Sequence, residues 1–369
     1  MLAIRDPVNK GITMIHLNKK YKILFLLSLL VSGIPESGYC AYFTDRAVAY
    51  FTDKAIEDVL SKETSISLYP PGLNIFFCGT GTPYPDEARN PSCLAVVAGS
   101  EYLVFDAGDG SSRRLDTMGL PTKELDAVFI THWHSDHFGG LGYLINSSWI
   151  FGRAHVLEVY GPTGVTDIVE GIGKSYELDV FYRTSLQEDN LEQEFAFAQP
   201  IPVEPGEGYE AKTVVYNKNG VIVSAFLVDH APVEPALGYM VEYKGRKIVI
   251  SGDTRISANV KKSSQNADIL IHEALNVSMN KNAARIARKI NLPDRATQIE
   301  SIISYHSSTI DIARMAQKAN VNKLVLTHLI PGPSNWIAKK MFVGGMDVYF
   351  EGDIVIAEDK MHIHLSPKE

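Results

Sequence analysis

Residues 129–140 read FITHWHSDHFGG and hold three histidines and one aspartate within six positions, in a chain of 369 residues with only 11 histidines. These four residues are His132, His134, Asp136 and His137. The apolar run before them predicts a strand, on which residues two apart point the same way, so the first two histidines can hold one metal ion. The Gly-Gly pair that follows lets the chain bend into a helix, which places the last two residues beside a second ion. Burying four such groups without a cation would be costly, so the run predicts a metal site.

Polar residues also end several strand-like runs in the second half of the chain. The runs FLVDH, VISGD, LIHE and LVLTH end in His230, Asp253, His272 with Glu273, and His328. Strand ends share one edge of a sheet, where ligand sites of such sheets lie, so we expect these side chains to converge. Imidazole and carboxylate ligands suit zinc, and they also accept iron or manganese.

Two series of strands, each flanked by helical patterns, predict the fold. The first series runs from LNIFFCGT to AVFITH, and the second from AKTVVYNKNG to ADILIHEA. Asn219-Gly220 and Lys244-Gly245 mark hairpin turns within the second series. Two sheets face to face with helices outside form an αββα sandwich of the α/β class.

The N-terminal region predicts export. Three lysines precede the apolar run ILFLLSLLV, and small residues follow it, which is the layout of a signal peptide over residues 1–40. The run is shorter than the ~20 residues of a membrane-spanning helix, so no stable span is expected after cleavage. The near-repeat in AYFTDRAVAYFTDKAI predicts an amphipathic helix within residues 41–70. We expect a periplasmic or secreted protein whose hydrolase domain covers residues 71–369.

Cys78 and Cys93 flank the loop GTGTPYPDEARNPS at mirrored positions. An oxidising compartment would permit a disulfide between them, provided that the strand geometry is suitable. Buried free thiols are the expectation that we favour, because free cysteine is among the most buried residue types.

The motif HxHxDH resembles the signature of the metallo-β-lactamase superfamily. The pieces CGTGTPYP, VFDAGDG, VYGPTG, the run from DHAPVEP to SGDT, LIHEA, YHSST and LTH are most similar to the ribonuclease Z and metallo-type arylsulfatase branch. The resemblance starts near residue 72 and runs to the end. It implies two zinc ions: the first bound by His132, His134 and His230, the second by Asp136, His137 and His328, with Asp253 bridging both.

The same resemblance implies how an ester would be cleaved. Two metals lower the pKa of a shared water to about 7, and Asp136 would orient it. His306 of YHSST would protonate the leaving oxygen, and Glu273 would hold that histidine in place. Asp106 and Asp109 would orient metal ligands, and His272 would lie just outside the ligand set.

Residues 164–210 bear on the substrate. Ribonuclease Z carries a basic arm in this region, but here two basic residues stand against eleven acidic ones, which repel a phosphate backbone. The segment predicts a helical lid instead. We therefore expect an exported binuclear-zinc hydrolase that cleaves small phospho- or sulfo-esters. A homodimer is compatible with this expectation. A ribonuclease Z-type tRNA 3′ endonuclease is the alternative.

Overall fold

The computed structural model describes residues 3–5, 12–14, 48–57, 64–186, 191–206 and 212–368. The chain divides into two compact units, Met1–Glu63 and Thr64–Glu369. The first unit holds strands β1 (Ala3–Arg5) and β2 (Ile12–Met14), which pair antiparallel, and helix α1 over residues 48–57. The rest of the predicted signal peptide lies outside the described residues, as do the flanks of α1. The boundaries proposed for these segments therefore stay predictions.

The second unit begins with a seven-stranded sheet in the order β16-β3-β4-β5-β6-β7-β8. Antiparallel pairing joins β16, β3, β4 and β5, and parallel pairing joins β5 to β8. The elements of this sheet and its helices are β3 (Leu73–Gly79), β4 (Cys93–Ala98), β5 (Glu101–Ala107), α2 (Ser111–Thr117), β6 (Ala127–Phe129), α3 (Ser135–Phe138), α4 (Leu141–Ile150), β7 (Leu157–Gly161), α5 (Val165–Leu186), β8 (Ala198–Pro202) and β16 (His362–Leu365).

The second sheet also has seven strands, in the order β15-β14-β13-β12-β11-β10-β9. It repeats the division of the first, since β9 to β12 pair antiparallel and β12 to β15 pair parallel. Its elements are β9 (Lys212–Lys218), β10 (Val221–His230), β11 (Val233–Tyr243), β12 (Arg246–Ile250), α6 (Ala258–Ser263), β13 (Ile269–Leu275), α7 (Val277–Lys289), α8 (Pro293–Ser301), α9 (Thr309–Lys318), β14 (Lys323–Ile330), α10 (Trp336–Phe342) and β15 (Asp353–Ile356).

Three apolar layers hold the sandwich together. The central layer packs one sheet on the other and includes Phe105, Phe129, Tyr239 and Ile271. Two outer layers lie between each sheet and its helices. Alternate residues of each strand thus point to opposite faces of its sheet, and most strands are buried on both sides. The αββα sandwich predicted from the two strand series is confirmed.

Both predicted hairpin turns are present. Asn219 and Gly220 have φ of 48° and 80°, and Lys244 and Gly245 have φ of 44° and 71°. Two successive left-handed residues form the turn that matches the twist of a two-stranded ribbon, and glycine adopts this conformation at little cost. The turns fix the register of β9 on β10 and of β11 on β12, and with it the strand ends that carry polar residues.

The expectation of free thiols is wrong, because Cys78 and Cys93 form a disulfide. Gly79 pairs with Cys93 across a register shift that leaves Cys78 out of the ladder. This shift brings the two Cα atoms to 5.0 Å, within the range that a disulfide spans. The sequence spacing showed that the two cysteines face one region, but it did not show the bulge.

The disulfide closes a loop with a sequence separation of 15 residues, and loops of that length contribute about 3 kcal/mol to stability. We expect a reductant to lower the free energy of unfolding of the wild-type protein by about 2–4 kcal/mol in urea titrations. The Cys78→Ala/Cys93→Ala double variant should be unaffected by the reductant. An equal response of both proteins would contradict a disulfide in solution.

Candidate metal centre

The predicted metal ligands meet at the edge where the strands of both sheets end. His132 follows β6, His230 ends β10, Asp253 follows β12 and His328 lies near the end of β14. The hydroxyl of Tyr239 donates to the carbonyl of Ile130 at 2.7 Å, which ties the second sheet to the first directly before this site. Fold and site are therefore set by the same strand ends.

One donor set comprises His132, His134, His230 and Asp253, whose ligand atoms all lie within 4.8 Å of one another. His132 Nε2 lies 3.0 Å from His134 Nδ1, and that Nδ1 lies 3.4 Å from His230 Nε2. Burial lowers the pKa of His132, His134 and His230, which favours the neutral imidazole that binds a metal. Three neutral imidazoles and a carboxylate form a donor set typical of zinc sites.

A second donor set comprises Asp136, His137 and His328. Asp136 Oδ2 lies 3.1 Å from His328 Nε2 and 3.5 Å from His137 Nε2. His137 Nε2 is buried and has no hydrogen-bond partner among the described residues, although it faces two carboxylates. A buried nitrogen aimed at carboxylates in this way fits a cation between them.

Asp253 lies between the two sets. Its Oδ2 is 3.3 Å from His137 Nε2, 3.4 Å from His328 Nε2, 3.9 Å from His230 Nε2 and 4.0 Å from His132 Nε2. The carboxyl is buried, and burial raises its pKa, but the neighbouring histidines outweigh that effect and hold the pKa well below its usual range. An ionised carboxylate in this position fits a bridge between two divalent ions. The structure thus brings all seven predicted ligands into one cluster, and their roles as ligands stay a prediction.

Asp106 holds the second donor set in place. Its Oδ2 lies 2.7 Å from His137 Nδ1, and its Oδ1 accepts hydrogen bonds from the backbone and hydroxyl of Thr131. The hydroxyl of Thr131 also lies 3.0 Å from His132 Nδ1. Asp106 therefore contacts one ligand directly and another through Thr131, a residue that the sequence did not single out. Within the part of the chain that the structure describes, no hydrogen bond joins Asp109 to a predicted metal ligand. Asp109 lines the open cavity beside Asp136.

We expect Asp106→Asn to weaken metal binding about 10- to 100-fold, because the amide cannot accept both hydrogen bonds that fix His137 and Thr131. Competition with a chromogenic chelator measures the affinity. Asp109→Asn is the control and should bind metal as the wild type does. If both variants kept wild-type affinity, Asp106 would have no orienting role.

His306 lies beside the cluster, as predicted. Its Nδ1 is 3.3 Å from Glu273 Oε1, and that oxygen accepts a hydrogen bond from the backbone of Ser307 at 2.8 Å. Burial lowers the pKa of His306, but the carboxylates of Glu273 and Asp253 outweigh it and raise the pKa above its ordinary value. One ring nitrogen lies within 4.8 Å of ligand atoms of Asp253 and His328. The ring can therefore carry a proton next to the reacting atoms.

His272 is fully buried and its Nδ1 lies 2.7 Å from the carbonyl of Glu273. Within the described part of the chain, no hydrogen bond joins its side chain to a residue of the metal cluster. Its neighbours in the strand, Leu270 and Ala274, belong to the outer apolar layer, so alternation directs His272 to that layer as well.

The structure explains the Gly139-Gly140 pair differently from the bend into a helix that we predicted. Gly140 has φ of −93°, which any residue adopts, so it supplies no unusual backbone conformation. A Cβ at this position would lie 2.2 Å from the carbonyl oxygen of Gly108. Glycine is needed because α4 begins in contact with the backbone of the loop Asp106–Asp109. This contact places the loop next to Asp136 and His137.

A cavity of about 870 Å³ opens beside the cluster. Asp136 and Ser135 form part of its floor, and the loop after β3 forms its wall, including Tyr84, Arg89 and Asn90. A second cavity of about 300 Å³ reaches α7 and α8 and shares Tyr84 with the first. Ligands larger than a single phosphate ester therefore have room beside Asp136.

The segment predicted as a lid has two parts. Residues Val165–Leu186 form the long helix α5, on which Leu178, Phe181 and Tyr182 are exposed. Residues Ala198–Pro202 form β8, the edge strand beside β7, so this part belongs to the sheet. A covering role for α5 stays a prediction.

A family model described as anti-Pycsar protein Apyc1 matches residues 73–328. The match covers more than two thirds of the chain and includes all seven predicted ligands. The chain belongs to this family. Among the described residues of this Apyc1-family protein, no helix is long and apolar enough to cross a membrane.

Relatives and solved structures place the Apyc1-family chain more broadly. Ribonuclease Z of Mycobacterium marinum is 30% identical over 262 residues, which cover 70% of this chain and 87% of the relative. The metallo-β-lactamase fold protein YhfI from Bacillus subtilis superposes with a TM-score of 0.58 at 17% identity, over 80% of this chain and 100% of YhfI. The short form of human tRNase Z superposes with a TM-score of 0.57 at 24% identity, over 80% of this chain and 100% of that enzyme.

The chain is therefore a metallo-β-lactamase superfamily hydrolase related to ribonuclease Z, which confirms the resemblance seen in the sequence. It is a metal-dependent hydrolase of ester bonds. The comparisons favour the ribonuclease Z alternative over the small-molecule interpretation that the acidic segment suggested.

Proposed function

We propose that this Apyc1-family chain is a phosphodiesterase that holds two divalent ions, zinc by preference, and cleaves RNA in the manner of ribonuclease Z. The observation that carries the proposal is the pair of donor sets joined at Asp253, with His306 and Glu273 directly beside them. A binding-only relative would not need a proton donor next to a complete ligand cluster.

The residues of the chain divide the chemistry between them. His132, His134 and His230 would hold one ion, and Asp136, His137 and His328 the other, with Asp253 shared. When bound, the ions supply water of lowered pKa and polarise a phosphoryl oxygen. Asp136 accepts a hydrogen bond from the attacking water and orients it. His306 donates its proton to the leaving alkoxide, and Glu273 keeps the ring in the donating orientation.

The names of the relatives support RNA as the first candidate substrate. Ribonuclease Z and tRNase Z recur among the similar proteins, at 30% identity for the relative from M. marinum. On this basis the chain would cut a tRNA precursor on the 3′ side. Cleavage of a phosphodiester suits the site. The ions would act on the phosphoryl group, and His306 would protonate the oxygen that leaves.

A small phosphodiester outside the cytoplasm is the second candidate. The excess of acidic residues in residues 164–210 and the disulfide Cys78–Cys93 support it, because disulfides persist mainly in oxidising compartments. We also propose export, an arylsulfatase-like activity, a homodimer and zinc as the physiological metal. The apolar side chains of α5 would then cover the substrate.

A side-by-side assay tests these candidates. The purified protein is given a tRNA precursor, bis(p-nitrophenyl) phosphate, p-nitrophenyl sulfate and a lactone under identical metal conditions. We expect cleavage of the precursor and of the aryl phosphodiester. Hydrolysis of the phosphodiester without any cleavage of RNA would favour the second candidate, and activity confined to the sulfate or the lactone would contradict a phosphodiesterase.

A further inference from the structure

The helical hairpin formed by α7 and α8 carries positive charge in an acidic chain. Residues 277–301 contain five basic residues and two acidic ones, whereas the whole chain has a net charge of −8. The five basic residues are Lys281, Arg285, Arg288, Lys289 and Arg295. Residues 164–210 carry the opposite charge, because acidic residues outnumber basic ones there.

Three of these residues form a continuous stripe. Lys281, Arg285 and Lys289 follow one another at intervals of four, so they lie on one side of α7 and extend about 12 Å along its axis. All three are exposed, and within the described residues none of them forms an ion pair. Arg288 differs, because both of its terminal nitrogens bind the carboxylate of Glu300.

The contacts that hold the two helices of the hairpin together lie away from the stripe. Ala284 and Ala287 of α7 pack on Ala296 of α8, and the side-chain amide of Asn280 donates to the carbonyl of Ile299 at 2.6 Å. The charged side of α7 therefore faces solvent from a helix that packs on its neighbour. Coulombic attraction to a polyanion does not have to offset the cost of ordering a loop.

The hairpin adjoins the metal centre at both ends. Helix α7 starts four residues after Glu273, and α8 leads through Ile302 to His306. The guanidinium of Arg295 lies 4.5 Å from the ring centroid of Tyr84, which lines both cavities. Asn280 and Ala283 of α7 line the cavity beside Tyr84, and the stripe lies on the solvent-facing side of the same helix.

The geometry points to the stripe of Lys281, Arg285 and Lys289 as a binding surface for the phosphate backbone of an RNA substrate. This inference rests on the proposed ribonuclease activity and adds where the substrate is held. Lysine and arginine neutralise phosphates and release counterions, which supplies most of the sequence-independent affinity for nucleic acid. Tyr84 with Arg295 offers a face for base stacking in the cavity that Asp136 also lines.

A charge-neutralising pair tests the surface. Arg285→Gln/Lys289→Gln is compared with Lys123→Gln/Lys318→Gln, which removes two exposed charges that precede β6 and β14 at the far ends of those strands. The kcat/KM for a labelled tRNA precursor is measured over a range of salt concentrations, with bis(p-nitrophenyl) phosphate as the small substrate.

We expect the stripe variant to lose about tenfold in kcat/KM for RNA at low salt, and its slope against log salt to fall by about 1.4–1.8, the value for two lost phosphate contacts. Its activity on the small substrate should equal that of the wild type, which shows that the variant is folded. The Lys123/Lys318 variant should keep both activities.

Equal RNA kinetics of the two variants would overturn the binding surface while leaving the ribonuclease intact. A wild type that cleaves no RNA would overturn the proposed function itself. Binding of the wild type to vesicles of anionic phospholipid, lost in the stripe variant without any change in RNA cleavage, would assign the stripe to a membrane and also overturn the inference.

Discussion

Asp253→Ala is expected to lower the turnover number at least about 10³-fold and to reduce the bound metal from two ions per chain to one or none. Its Oδ2 lies within 4.0 Å of four imidazole nitrogens that belong to both donor sets. Removing it leaves four buried histidines without their shared negative charge. Metal analysis after gel filtration and steady-state kinetics on bis(p-nitrophenyl) phosphate measure both effects.

Asp268→Ala is the matched control for this experiment. Asp268 is also buried, but it pairs with Arg246 and Lys368 outside the cluster. That variant should lose stability and keep its metal content and its turnover per folded molecule. An Asp253→Ala protein that still held two ions would contradict a bridging role.

His306→Ala is expected to keep both ions and to slow substrates with poor leaving groups about 10²- to 10⁴-fold, the usual contribution of a positioned acid. An alkoxide leaves slowly without a proton, whereas nitrophenolate leaves easily. The loss should therefore be large for RNA or an alkyl phosphodiester and much smaller for the nitrophenyl ester. His364→Ala, at an exposed histidine of β16, is the control and should change neither rate.

Two outcomes would contradict the acid role of His306. Equal slowing of good and poor leaving groups would show that proton donation is not what the residue supplies. Loss of one ion in His306→Ala would make it a metal ligand, which its closeness to Asp253 and His328 also permits.

The sandwich could be predicted because its signals are local. Runs of β-branched residues, two Gly-containing hairpin turns and polar residues at strand ends each depend on a few neighbouring positions. Convergence of those ends follows from sheet geometry alone. The second helix of the basic hairpin, α8, is harder to predict because its residues 293–301 are mostly exposed and only Ala296 among them is buried.

Two predicted site residues lie at β-bulges, so strand alternation could not predict their orientation. Asp106 has φ of 58° and falls between Phe105 and Ala107, which pair with successive residues of β4. His328 has φ of 44° and is likewise skipped between Thr327 and Leu329. Such an extra residue re-aims one side chain out of the alternating pattern. Alternation alone therefore does not show which way Asp106 or His328 points.

The contacts that orient the predicted metal ligands could not be predicted from the sequence either. Thr131 joins Asp106 to His132 through its hydroxyl, and the carbonyl of Tyr305 lies 3.1 Å from His230 Nδ1. A backbone carbonyl carries no sequence signal, and a threonine before a histidine is common. Only the pairing of distant strands shows that these groups meet.

Anomalous diffraction from crystals of the zinc-loaded protein, recorded on both sides of the zinc absorption edge, tests the central claim most directly. Two anomalous peaks are predicted in each chain, one bounded by His132, His134 and His230 and the other by Asp136, His137 and His328, with Asp253 in contact with both. An absence of anomalous density among these seven side chains in the zinc-loaded protein would contradict the metal centre and the hydrolase chemistry that depends on it.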